Sequence, residues 1–367
     1  MAFSISSIIF TLMKQSNFKI LALMSGTSLD GMDIIYVNFK YNEGWSFNIY
    51  NAETVPYPPH WKKDLSRLVT MSMDELKILD NKYSEYLADV IADYINRNTI
   101  ETIDFIASHG HTALHQPQNG LTYQIGNLPA LANKLNLKVI CDFRVQDVKL
   151  GGQGAPLVPI GDRLLFNNYD YCLNLGGFAN ISFESNSERI AFDICPVNIV
   201  LNHYVSKLDL DYDDKGLLAS TGRINEDLLS QLNALQFYSE QAPKSLGLEW
   251  VELNILPLID SYKLNIKDVL RTFVEHVAIQ ISKIIEGDKK KVLITGGGVY
   301  NEFLIKRIDS FSKAEIVIPE NEIVEFKEAL IFGLLGVLKE REEVNCLKSV
   351  TGAKSDHSSG VILIPND

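Results

Sequence analysis

Residues 23–34 read LMSGTSLDGMDI, and residues 173–182 read LNLGGFANIS. Both leave an apolar run through a glycine-bearing turn and re-enter an apolar pattern at once, which is the signature of strand, turn, strand. Working outward, FKILALM and IIYVNFKY flank the first turn, and WSFNIYNAETVPY adds a third alternating segment. From Trp61 to Asn96 the period lengthens: Leu76, Leu79, Tyr83, Leu87, Ile91 and Tyr94 recur three or four apart, which predicts a helix. A strand (IDFIASHG), a helix (NLPALANKL) and a strand (KVICDF) follow. The second turn opens the same succession, through RIAFDICP and on to KVLITGGGV. A repeated order of this kind predicts a duplicated α/β domain with a cleft between the halves.

At 367 residues, two domains are expected. RVQDVKLGGQGAPLVP carries the densest Gly/Pro punctuation and is taken as the passage between them. The expected division is an extension over 1–17, a first domain of 18–145 with about 346–367, and a second of 146–345. Met13 is an alternative start to Met1. MAFSISSIIFTLMK has no basic n-region and no small-residue cleavage site, and it is too short to span a bilayer.

A net charge of −12, with no basic run longer than Lys289-Lys290-Lys291, argues against nucleic acid as a partner. Cys141, Cys172, Cys195 and Cys346 form no C-x-x-C pair and read as buried, reduced thiols, which fits a cytoplasmic setting. The expected partner is a small molecule, with neither nucleic acid nor membrane.

Chemistry gathers on the turns. Gly26-Thr27-Ser28 and Asn174-Leu175-Gly176-Gly177 could turn backbone amides toward a phosphate, with Thr27 and Ser28 adding hydroxyls and Asp30 meeting Mg²⁺. A tight hairpin with no ligand is the ordinary reading of either loop alone, and the recurrence favours the cradle. Gly296-Gly297-Gly298, between a strand and a helix, offers a third such turn. Neither a Walker A sequence nor GxGxxG is present. His109, His111 and His115 invite a zinc reading, but no carboxylate or thiol stands near them in sequence, so a polar substrate loop is preferred. Asp193, on an apolar strand, is either a desolvated base or a cap. Glu325 and Glu328 read by default as solvated helix positions.

Taken together, LMSGTSLDGMDI, SHGHT, QIGNLPALA, CDFRVQDVKLGGQGAPLVP, LNLGGFANIS, KGLLASTGRIN, PKSLGLEW, ITGGGVYN and EALIFGLL occur in the order seen in the anhydro-N-acetylmuramic acid kinase family, which the chain resembles from about Lys19 onward, SVTGAKSDHSSGVIL included. The resemblance implies an α/β, two-domain actin-like ATPase (ribonuclease H-like) fold with a duplicated mixed-sheet domain and a central cleft, usually dimeric. It implies ATP with Mg²⁺, opening of the 1,6-anhydro ring by water, phosphorylation of O6, and a place in cytoplasmic peptidoglycan recycling. The ATP segment maps onto Gly26, Thr27, Ser28, Leu29, Asp30, Gly31, Met32 and Asp33. The general base maps onto Asp193, and the sugar-holding positions onto Thr112, Arg144 and Glu328. Arg144 suits the lactyl carboxylate, which a guanidinium can pair bidentately.

The chain departs from the family where Cys195 and Val197 replace glycines beside Asp193, while Pro196 and Asn198 are kept. Altered backbone geometry next to the substrate is the expectation. His111 stands where glutamine is common. The alternatives are a kinase of another anhydro sugar such as levoglucosan, and a non-catalytic nucleotide sensor.

Overall fold

The computed structural model describes residues 15–26 and 29–366. Residues 1–14, with Met1 and Met13, and the site candidates Thr27 and Ser28 lie outside the described residues. The chain forms two compact units, residues 1–165 with 328–367, and residues 166–327.

In the first unit, β1 (Asn17–Ser25), β2 (Gly31–Tyr41) and β3 (Trp45–Pro56) form an antiparallel meander. Then β4 (Phe105–Ser108) lies parallel to β1, β7 (Val139–Cys141) parallel to β4, and β13 (Val361–Leu363) antiparallel to β7. A separate hairpin joins β5 (His111–Gln116) to β6 (Leu121–Ile125). In the second unit, β8 (Tyr171–Leu175), β9 (Phe178–Ser185) and β10 (Glu188–Pro196) repeat the meander. There β11 (Lys291–Thr295) runs parallel to β8, and β12 (Glu315–Val317) parallel to β11. Both sheets therefore run third, second, first, fourth, fifth strand in their local order, the first with β13 added at its edge. That shared order, three antiparallel strands followed by parallel ones, defines the ribonuclease H-like unit of actin-type ATPases.

The helices of the first unit are α1 (Pro59–Leu65), α2 (Met73–Arg97), α3 (Pro129–Leu135), α4 (Val145–Lys149) and α5 (Pro159–Leu165). Those of the second include α6 (Asn198–Val205), α7 (Leu217–Thr221), α8 (Glu226–Asn233), α9 (Ile266–Ile284) and α10 (Glu302–Phe311). The helix α11 (Asn321–Glu340) crosses from the second unit into the first, and α12 (Lys348–Thr351) follows. The apolar run of β1 is buried on both faces, as a central strand requires. Leu21 and Leu23 join the cluster built on Leu76, Tyr83 and Leu87 of α2. A Cβ at Gly333 of α11 would fall 2.9 Å from Ala22, so that helix rests directly on the opposite face. The capping box Ser72–Glu75 starts α2. In the second unit, Leu270, Phe273, Val277 and Ile281 of α9 fill the core with Leu173, Ile181 and Ile294 from the strands.

The boundaries lie at 165/166 and 327/328, not at 145/146 and 345/346. RVQDVKLGGQGAPLVP is no linker: its loop folds around Asp147, whose carboxylate accepts the Gly154 amide at 2.7 Å and whose carbonyl accepts the Gly152 amide at 2.9 Å. Its glycines and prolines shape a turn inside the first unit. No helix among the described residues is long and apolar enough to cross a membrane.

Candidate active site

The second unit brings two of the three glycine turns together. A Cβ at Gly296 would lie 2.6 Å from Asn174 Oδ1, and one at Gly298 would lie 2.7 Å from Leu175 Cβ, so the β11 turn is seated on the end of β8. Gly296 has φ +85°, which side-chain-bearing residues rarely adopt. A Cβ at Gly297 would meet nothing within 4 Å, and one at Gly176 or Gly177 only ordinary contacts. Packing within the chain therefore demands glycine at 296 and 298, whereas 176, 177 and 297 leave backbone open to an approaching group. The start of α6 is tied to the same turn, because the Val197 and Ile199 amides donate to Gly177 O at 2.8 and 3.3 Å.

Asp193 stands on β10 at a β-bulge, where pairing with β9 slips between Asp193 and Cys195. Its Oδ2 accepts the Leu246 amide at 2.8 Å, and its own amide donates to Lys244 O at 3.1 Å. Oδ1 has no hydrogen-bond partner among the described residues. Burial pushes the carboxyl above its ordinary range, and the Leu246 amide opposes that shift only in part. Of the two open readings, a desolvated carboxylate fits, since a cap would spend its oxygens on helix amides. The replaced glycines have a plain account: Cys195 and Val197 are both fully buried in the core of the second unit. Val197 has φ −130° with ψ −96°, a pair that lies outside the broad β and right-handed α regions though not at the positive φ that favours glycine. Their side chains pack inward beside Pro196.

In the first unit, Gly26 follows β1, and Leu29, at φ +59°, makes the turn into β2. Gly31 begins β2 where a Cβ would fall 2.5 Å from Val55 O. Met32 is buried, Asp33 Oδ1 accepts the Thr54 hydroxyl at 2.6 Å, and Asp30 is exposed. Below the turn, Ser25 Oγ lies 2.6 Å from both His111 Nδ1 and the Tyr57 hydroxyl, which lies 2.5 Å from that of Tyr83. Burial drives the pKa of His111 down to about 4, so the ring is neutral in this chain.

Arg144 immediately precedes α4. Its Nε donates to His109 Nε2 at 2.9 Å, and its Nη1 to Gly154 O at 2.7 Å. Because Nε2 accepts, the proton of His109 sits on Nδ1 and donates to Gly110 O at 2.9 Å. Desolvation, joined by the neighbouring Arg144 charge, holds His109 well below its ordinary pKa. Two of the five guanidinium donors are thus used. Desolvation lowers the pKa of Arg144, and the Glu328 carboxylate on α11 offsets part of that. Thr112 connects to this group through a polar chain, in which Gln124 Nε2 donates to Thr112 Oγ1 at 3.5 Å and to Thr122 Oγ1 at 2.9 Å, and Thr122 Oγ1 lies 3.1 Å from His115 Nδ1. His115 feels the charge of Arg144. Thr112, Arg144 and Glu328 thus belong to one polar group of the first unit, in which His109 and His115 come from the expected substrate loop and Thr122 and Gln124 were not expected. Among the described residues, His109, His111 and His115 are not part of any group of three donors close enough together to hold a metal ion. Gly110, at φ +71°, breaks the i, i+2 strand face assumed for His109 and His111.

A sequence profile of the anhydro-N-acetylmuramic acid kinase family matches residues 18–365. The anhydro-N-acetylmuramic acid kinase of Pasteurella multocida is 33% identical over 95% of this chain and 98% of its own. That of Francisella tularensis subsp. novicida is 31% identical over 91% and 95%, and that of Haemophilus influenzae 32% over 95% and 98%. Two ribonuclease H-like units bearing glycine turns define an actin-type phosphotransferase scaffold. The chain belongs to the anhydro-N-acetylmuramic acid kinase family.

Proposed function

We propose that this chain is an ATP-dependent kinase that opens the 1,6-anhydro ring of anhydro-N-acetylmuramic acid and phosphorylates O6, giving N-acetylmuramic acid 6-phosphate and ADP in peptidoglycan recycling. Family membership supports the substrate class, and the observation that carries the chemistry is Asp193, a desolvated carboxylate with one oxygen held and the other without a partner. In this reading Asp193 takes a proton from water as the water oxygen attacks C1. The C1–O6 bond breaks, O6 attacks the γ-phosphorus, and ADP leaves. General-base assistance supplies about 10²- to 10⁴-fold, the rest coming from positioning and charge stabilisation. Mg²⁺, when bound, neutralises charge on the phosphates, and Asp30 is the carboxylate proposed to meet it. The open backbone at Gly176, Gly177 and Gly297 fits phosphate oxygens in a way a side chain would obstruct, and the residues from Gly26 to Asp33 are proposed as nucleotide-binding on the strength of the family resemblance.

Arg144, with three N–H groups to spare, is proposed to receive the lactyl carboxylate, with Thr112 and Glu328 holding sugar hydroxyls. Levoglucosan has no such anion. A homodimer and a cytoplasmic location belong to the same reading, the second in keeping with four buried free thiols. Incubation with ATP, Mg²⁺ and either sugar tests the function. ADP and a sugar phosphate are expected from the amino sugar. Turnover of levoglucosan alone would overturn the substrate, and no turnover of either would overturn the kinase. Asp193→Asn should abolish turnover while leaving nucleotide binding intact.

A further inference from the structure

Away from these groups, the first unit holds a buried trio of different donor chemistry. Cys346 and His357 face each other across an antiparallel bridge, in which Cys346 N–H donates to His357 O at 3.1 Å and His357 N–H to Cys346 O at 3.2 Å. Directly opposed residues project to the same side of a bridge, so the thiol and the imidazole share a face. Asp147 of α4 meets that face, and the Sγ, a ring nitrogen and a carboxylate oxygen lie within 4.8 Å of one another, all three residues buried.

The hydrogen bonds around the trio engage Asp147 and the Cys346 thiol, which bonds Ser359, but leave one ring nitrogen of His357 without a partner among the described residues. His357 Nδ1 donates to Ser355 O at 3.0 Å, which leaves Nε2 as the ring nitrogen available to a ligand. Nε2 is buried, has no hydrogen-bond partner among the described residues, and points at Asp147 Oδ1 from 3.5 Å. The Thr351 hydroxyl donates to Oδ1 at 2.7 Å and the Gly154 amide to Oδ2 at 2.7 Å, which fixes the carboxylate without supplying His357 with a proton. An imidazole nitrogen and a carboxylate oxygen facing each other in a dry site call for positive charge between them, either a proton on Nε2 or a metal ion bound by both. For bonds of about 2.0–2.3 Å, tetrahedral coordination separates ligand atoms by about 3.3–3.8 Å. The observed N–O separation already falls there. The Ser355 carbonyl on Nδ1 and the Thr351 hydroxyl on the carboxylate are the outer contacts that orient metal ligands.

We propose that Asp147, Cys346 and His357 form a zinc site that clasps α4 to the carboxy-terminal segment. A thiolate, an imidazole and a carboxylate suit a borderline-soft divalent ion, and three protein donors leave one tetrahedral position to a non-protein ligand. The thiol proton passes to solvent on binding. Because Asp147 follows Arg144 by three residues, the ion would brace the short helix that the arginine immediately precedes.

The test uses the full-length chain, stripped with a chelator and titrated with Co²⁺ alone. One equivalent should bind with thiolate-to-cobalt charge-transfer absorption in the near ultraviolet, and Zn²⁺ should displace it. Zn²⁺ should also raise the melting temperature and shield Cys346 from alkylation, as read by peptide mass mapping. Cys346→Ser should lose the absorption, and His357→Gln should weaken Co²⁺ binding at least ten-fold; circular dichroism checks that both fold. Cobalt bound without the thiolate band, or a stripped wild-type chain that neither binds Co²⁺ nor is stabilised by Zn²⁺, would overturn the site and leave a protonated His357 paired with Asp147.

Discussion

The neutral His111 beneath the first glycine turn makes a quantitative demand on stability. With a folded pKa of about 4 against an ordinary value of 6.5, the group binds its proton less readily when folded. The stability it contributes is therefore fully present above pH 6.5 and is lost as pH falls toward 4. Integrating over that window gives a loss of about 2 kcal/mol by pH 5 and about 3 kcal/mol by pH 4. In His111→Gln, where the amide can still bond Ser25 and does not titrate, this component disappears. Urea unfolding followed by tryptophan fluorescence measures it. A Trp250→Phe background confines the signal to Trp45 and Trp61, which share a unit with His111. Between pH 7.5 and pH 5 the wild-type midpoint should fall relative to the variant by ~0.7–2 M urea, taking a slope of about 1–3 kcal/mol/M. Other buried histidines cancel in the comparison. Parallel pH dependences for the two proteins would refute the reasoning.

Three further outcomes are expected. Gly298→Ala sets a methyl against Leu175 and should cost about 1–3 kcal/mol, whereas Gly297→Ala, facing open space, should stay within about 0.5 kcal/mol yet weaken nucleotide binding; thermal melts and nucleotide titration separate them. Because burial raises the carboxyl of Asp193, kcat/KM should fall on acidification at a pH above the ordinary 3.8, and a flat profile down to pH 4 would remove Asp193 as the base. Arg144→Lys cannot hold His109, Gly154 and an anion together, so the KM for the amino sugar should rise about ten- to hundred-fold, equivalent to about 1.5–3 kcal/mol, with kcat less affected.

Much of the fold could be read from residue pattern. The unbroken apolar run from Ile20 to Met24 told of a strand covered on both faces, and the two glycine turns told of the duplication. What escaped depends on register or on long-range contact. The passage from Arg144 to Pro159 looked like a linker because glycine and proline punctuate internal turns and linkers alike; only the side chain of Asp147 distinguishes them. The loss of two glycines beside Asp193 suggested altered geometry at the substrate, yet burial of Cys195 and Val197 is decided by a bulge that no local pattern announces. Arg144 pairs with a histidine 35 residues away, and the spacing gave no sign of it.

The discontinuity of the first unit also sets a schedule for synthesis. Residues 166–327 are contiguous, so the second unit has its whole sequence before the last forty residues, 328–367, have been translated. The first sheet, by contrast, starts with the earliest described strand and waits for its edge strand β13 and the covering half of α11 until the whole second unit has been made. At about 5–20 residues per second, the 162 residues from 166 to 327 alone take roughly 8–32 s. For those seconds the inner face of β1, bearing Ile20 and Ala22, lacks its helix on the nascent chain. A holding chaperone on the ribosome would find its binding surface there, on the half made first and completed last.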